Sequence, residues 1–131
     1  MTEQQLYAMT PQELTTTMLE ALVLQYARAL KARQDNRFEE TSARLQKAYG
    51  LLVKLQEGLS DDGGIIAGQL DYLYTYLGQL TVEAAVTKDA DTIASLQDDA
   101  AQLHDTWRTA CENTVPAARG AHHSIYEGMS Y

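Results

Sequence analysis

The chain has 131 residues, 45% of them hydrophobic, with a formal net charge of −8 and a pI near 4.7. That length fits one domain around one core. The acidic balance opposes binding to phosphate backbones or anionic lipid, both of which take clustered Lys and Arg, so a nucleic-acid function is excluded as a working hypothesis.

In chain order, the opening MTEQQLYAMT has neither the basic nor the apolar region of a signal peptide, and no run approaches the apolar length of a membrane span. A cytoplasmic protein without membrane insertion is expected. Thr10, Pro11 and Glu13 then form a helix start: Thr10 caps, Pro11 takes the first helical position, and Glu13 reaches back to the cap amide. The apolar set of helix 1, Leu14, Met18, Leu19, Leu22, Val23, Tyr26 and Leu30, covers a wider arc than an ordinary surface stripe. Either this helix is central or part of its face serves a partner.

Gln34-Asp35-Asn36 punctuates the chain, and Phe38, Leu45, Ala48, Tyr49, Leu52, Leu55 and Leu59 mark helix 2 by their three- and four-residue spacing. Ser60-Asp61-Asp62-Gly63-Gly64 reads as a loop. Ile66, Leu70, Leu73, Leu77 and Leu80 define the core stripe of helix 3, and Thr87-Lys88-Asp89 makes the next break. Ile93, Leu96, Ala100, Leu103, Trp107, Ala110 and Cys111 line helix 4, which Pro116 is expected to end. Short links make sequential helices antiparallel, so the expected fold is an all-α, up-down four-helix bundle over residues 1–116, followed by a flexible tail over 117–131.

Little in the sequence points to catalysis. The Glu-x-x-His pairs of di-iron bundles are absent, because Ala101, Arg119 and Gly120 stand three residues before His104, His122 and His123. His122 and His123 fall in the tail without further fixed ligands. Two aspartates precede Gly63-Gly64 and would repel a phosphate, and no phosphate-loop pattern accompanies them. Asp98 and Asp99 diverge around helix 4 and read as a solvated face. The single Cys111 permits no internal disulfide and suits a small buried hydrophobe. Neither an enzyme nor a bound cofactor or metal is expected.

A binding signal remains in helix 3. At 100° per residue the leucines point to the core, Tyr72 and Tyr76 lie on one flank with Ile65, and Tyr74 lies on the other. These tyrosines either pack at bundle seams with hydroxyls in water, or line grooves that receive a partner's amphipathic helix.

Thr10-Pro11-Gln12-Glu13-Leu14 followed by Met18-Leu19 resembles the opening signature of the FliS family. Gly63-Gly64-Ile65-Ile66-Ala67 with Leu70, then Leu73-Tyr74-Thr75-Tyr76 and Leu80, resembles its central signature, and Trp107 falls where that family often has Trp. Glu20-Ala21-Leu22 stands where the family usually has Tyr-Asp-Gly, a departure that fits a diverged paralogue. The resemblance implies a cytoplasmic export chaperone. Such a protein binds the disordered C-terminal segment of flagellin, or of a flagellin-like subunit, prevents premature polymerisation and delivers it to the flagellar type III export gate. The client is then expected to contact Ile65, Tyr72, Tyr74 and Tyr76 on helix 3 and Met18, Leu19 and Leu22 on the apolar face of helix 1, and the resemblance implies Leu6 and Tyr7 as an N-terminal plug that occupies a groove without client. The alternative is a regulatory module, homodimeric through helix 1 and without an unfolded client.

Overall fold

The computed structural model describes the backbone over residues 9–59 and 64–121, and side chains over 9–59 and 68–112. Four helices form the described chain: α1 (Pro11–Gln34), α2 (Phe38–Leu59), α3 (Gly64–Thr87) and α4 (Ala90–Ala121). No strand occurs among the described residues, and the helices pack as an all-α four-helix bundle.

Local chemistry sets the helix ends. The Thr10 hydroxyl accepts from the Glu13 amide at 3.1 Å while the Thr10 amide donates to the Glu13 carboxylate at 2.9 Å, closing a reciprocal cap before Pro11. At the far end of α1, Asn36 turns the chain with φ near 61°, a left-handed conformation that Asn tolerates better than most residues. Between α3 and α4, Lys88 adopts φ near 54° and the Asp89 carboxylate accepts from the Thr92 amide at 3.0 Å, capping α4. The Arg33 Nε donates to the Lys88 carbonyl at 2.7 Å, tying these two turns together at one end of the bundle, and its guanidinium sits over the Phe38 ring.

α1 packs closely along both α2 and α4, α2 packs closely along α3, and α3 touches α4 only sparingly. The wide apolar arc of α1 is thereby explained by its central position. Leu19, Leu22, Tyr26 and Ala29 from α1 meet Leu45, Ala48, Leu52 and Leu55 from α2, Tyr74, Leu77 and Ala84 from α3, and Ile93, Leu96, Ala100 and Leu103 from α4 in one core. The Tyr26 hydroxyl lies 2.7 Å from the Thr81 hydroxyl deep inside it. Because Thr81 directs its own proton to the Leu77 carbonyl at 2.6 Å, Tyr26 is the donor of that buried bond.

Two expectations change. α4 runs through Pro116 to Ala121, so the bundle helix does not stop at 116 and residues 117–121 are helical. Proline's own φ is helical; it removes one donor and crowds one carbonyl, which a long helix can carry. Residues 122–131, including His122 and His123, lie outside the described residues, as do residues 60–63, where a loop was expected. Second, the buried side of α3 is shifted from the centre of its leucine stripe toward Tyr74 and Thr81: Leu77 is fully buried as expected, while Leu70, Leu73 and Leu80 pack against the core only partly buried. The Tyr26–Thr81 bond holds that rotation.

Candidate binding groove

The close seam between α2 and α3 opens outward into a groove of about 430 Å³. From α2, Tyr49, Val53 and Gln56 form one wall above Leu52; from α3, Thr75, Gln79 and Val82 form the other, and Tyr74 and Gly78 lie between them. None of these side chains carries charge at neutral pH, in a chain whose net charge is −8. One end is closed by a clasp in which the Gln56 side-chain amide donates to the Asp71 carboxylate at 3.1 Å and to the Thr75 hydroxyl at 2.8 Å.

The helical period carries this surface outward along α3. Tyr72 is 75% exposed and Tyr76 45%, and Val82 and Val86 are exposed as well. Asp71 and Glu83 are the ionisable acids of this helix and it has no Lys or Arg; both acids are exposed, with Thr75 and Gln79, so its outer face mixes apolar and polar side chains. Exposed Gln79 and Glu83 interrupt these apolar residues on the same face, and scattered exposed apolar residues are ordinary on a protein surface.

Tyr74 forms the groove's floor. It is only 1% exposed, and burial pushes its phenol up to about 12. Tyr26 is pushed up to about 12 by the same cause. They differ in bonding: Tyr26 has Thr81, whereas no described residue hydrogen-bonds the Tyr74 hydroxyl.

The sequence-derived candidates therefore separate. Tyr72 and Tyr76 are exposed on α3 but do not line the groove. Tyr74 belongs to the core, and Leu19 and Leu22, both 0% exposed, are core residues with no surface to offer a partner. Met18 is half-buried against the core. The Ile65 side chain, Leu6 and Tyr7 lie outside the described residues. Sequence reasoning missed Tyr49, Val53, Gly78 and Val82. Val53, apolar directly after the core residue Leu52, and Gly78, a glycine inside a helix, were the available signals.

No catalytic geometry competes with the groove among the described residues. They hold no cluster of three or more His, Cys, Asp or Glu able to bind a metal, and none of their helices is long and apolar enough to cross a membrane. His104 Nε2 approaches a Glu20 carboxylate oxygen at 3.4 Å across the α1–α4 seam but is sealed from solvent and forms no aligned hydrogen bond. The half-buried Cys111 thiol is pushed up by burial and then by Glu112, opposite to the activation of a nucleophile. Asp98 is exposed and Asp99 half-buried at the edge of the α4 stripe.

A family model described as flagellar protein FliS matches residues 1–114. No curated protein matches the chain.

Proposed function

The chain belongs to the FliS family, a family of chaperones and not of enzymes, and on that premise we propose that it is a non-enzymatic cytoplasmic export chaperone for flagellin or a flagellin-like subunit. The observation that carries this reading is the groove between α2 and α3, whose lining side chains are uncharged; Tyr72 and Tyr76 add exposed aromatic surface elsewhere on α3. An amphipathic client helix lays its apolar face into such a groove, with aromatic anchors at its edge. A disordered client loses entropy when it orders, of the order of 2–5 kcal/mol, and offsets it by burying a large surface. Exposed Tyr72, Tyr76, Val82 and Val86 on α3 add apolar surface beyond the groove itself.

Gripped this way, the C-terminal segment of the client cannot pair with other subunits, so polymerisation is delayed until the complex reaches the flagellar type III export apparatus. The chemistry is binding and release alone, without nucleotide, metal or cofactor.

The test is calorimetric titration of the purified protein with a peptide covering the last helical segment of a flagellin from the same organism, with circular dichroism of the mixture. Saturable binding, a negative heat-capacity change and added helicity are the expected result. Absence of binding at high micromolar peptide, with a stable dimer in light scattering, would replace the chaperone with a self-associating module.

A further inference from the structure

The charges of the chain are sorted by face. On the outer side of α1, Arg28 and Lys31 follow Leu24 at i+4 and i+7, and all three are exposed. On α2, the Arg44 guanidinium donates across the seam to the Gln25 side-chain oxygen at 3.5 Å, and exposed Lys47 stands one turn on, toward Leu24 in the antiparallel pair. Exposed Arg37 closes the end of this face. Five of the chain's ten Lys and Arg thus gather along α1 and α2.

Two acids stand among them. Asp35 is shared by Lys31 at 3.4 Å and Arg37 at 3.6 Å, and Glu40 pairs with Arg44. The hydrogen bond from Arg44 holds the Glu40 carboxyl below the usual carboxylate range, and the charges of Arg44, Arg37 and Lys47 pull it the same way. Arg28 and Lys47 have no ion pair among the described residues. Neither lies in a terminal turn, so complementing a helix dipole does not account for them.

We propose that this face of α1 and α2 is a second docking surface, which takes an acidic amphipathic segment of a partner protein. Its carboxylates meet Arg28, Lys31 and Lys47, and an apolar side chain meets Leu24. The groove occupies the other flank of α2, through Tyr49 and Val53, so the two surfaces can be filled together.

Two features select this occupant over other anions. Leu24, 45% exposed, and half-buried Leu51, one turn after Lys47, offer apolar contact that a phosphate cannot use. The patch is also short. Beyond it the surface turns acidic: exposed Glu13 and Glu20 stand in the first half of α1, and exposed Asp91, Asp98, Asp105 and Glu112 recur every seven residues along α4, where Arg108 is held by Asp105. A nucleic acid or an anionic membrane spreads onto that surface and is repelled, whereas a short segment ends before it.

The experiment is a fluorescence-anisotropy titration of the full chain with a labelled synthetic helix of Leu, Ala and Glu, its Leu at heptad spacing, beside the same peptide with Lys for Glu. The acidic peptide is expected to bind at least about tenfold more tightly than the basic one. It should dissociate as salt rises from about 0.01 M to about 1 M and the Debye length falls from about 30 Å to about 3 Å. The double variant Arg28→Glu with Lys47→Glu is expected to lose at least about tenfold in affinity, and Leu24→Ala about threefold to tenfold. Both should keep the parent's circular dichroism and its titration with the flagellin peptide. Failure of the acidic peptide to bind, or unchanged affinity in the charge-reversed variant, overturns the inference. So does unchanged affinity in Leu24→Ala, since the site would then read charge alone, or tighter binding of polyphosphate or phosphatidylglycerol vesicles than of the peptide. Self-association of the parent that the charge reversal abolishes would make the occupant a second copy of the chain and overturn it as well. Equal weakening of the flagellin peptide would merge this face with the client surface and remove the second partner.

Discussion

Helices α1 and α3 are both 24 residues long and both carry apolar residues around much of their circumference, yet they use them in opposite ways. α1 has close neighbours on two sides, α2 and α4, and its wide arc vanishes into the core. α3 has one close neighbour, α2, and barely touches α4, so a similar surplus of apolar surface is left facing outward as Tyr72, Tyr76, Val82 and Val86. Sequence periodicity measures how apolar a helix is; the number of neighbours decides how much of that is core and how much is available to a partner.

The contrast can be broken by mutation. The largest effect is expected at the α1 end of it: Leu22→Ala should cost about 2–5 kcal/mol of stability in chemical denaturation, because it opens a cavity in the core. A loss near zero would mean that α1 is not central. Next, the double variant Tyr72→Ala with Tyr76→Ala should weaken peptide binding by about 2 kcal/mol or more while folding changes by less than about 1 kcal/mol. Equal losses in both titration and melting would return these tyrosines to the core.

Alkaline titration probes the two buried phenols together. Tyr26 and Tyr74 are both pushed up to about 12 by burial, so their neutral forms belong to the folded state. The unfolded chain ionises them near pH 10, and the folded chain resists until about pH 12. Stability is therefore complete below about pH 10 and falls as pH rises toward 12, with proton release on unfolding as the direct readout. The smallest effects separate the two residues. Tyr26→Phe should cost about 1 kcal/mol, since it strips the buried Thr81 hydroxyl of a donor. Tyr74→Phe should fall within about 0.5 kcal/mol of the parent in stability, since no described residue bonds its hydroxyl.

Much of the architecture was legible in the residues. Thr10, Pro11 and Glu13 set the start of α1 because capping is local chemistry, and Gln34-Asp35-Asn36 and Thr87-Lys88-Asp89 marked turns where Asn36 and Lys88 do take positive φ. Pro116 misled, because proline's cost is a matter of degree within a helix and not a prohibition. The rotation of α3 was not legible: it depends on Thr81 meeting Tyr26 across 55 residues of sequence, a pairing that the period of one helix cannot reveal. That rotation took Tyr74 from a flank to the core and left Tyr72 and Tyr76 outside. The groove was hidden for a similar reason, since Tyr49 and Val53 become walls only once Gly78 and Val82 stand opposite them.

One bond spans the bundle away from the groove. Trp107 Nε1 donates to the Thr16 hydroxyl at 2.9 Å, joining α4 to α1 across 91 residues, and Trp107 is the chain's single tryptophan. The tryptophan fluorescence of the protein, excited selectively beyond the tyrosine band, thus has one origin, at the α1–α4 seam. A client that settles between α2 and α3 leaves this emission in place, whereas any loosening of the seam frees the indole to water and shifts the spectrum to the red. The molecule carries its own optical gauge of whether binding is a docking event on a rigid body or an opening of the bundle.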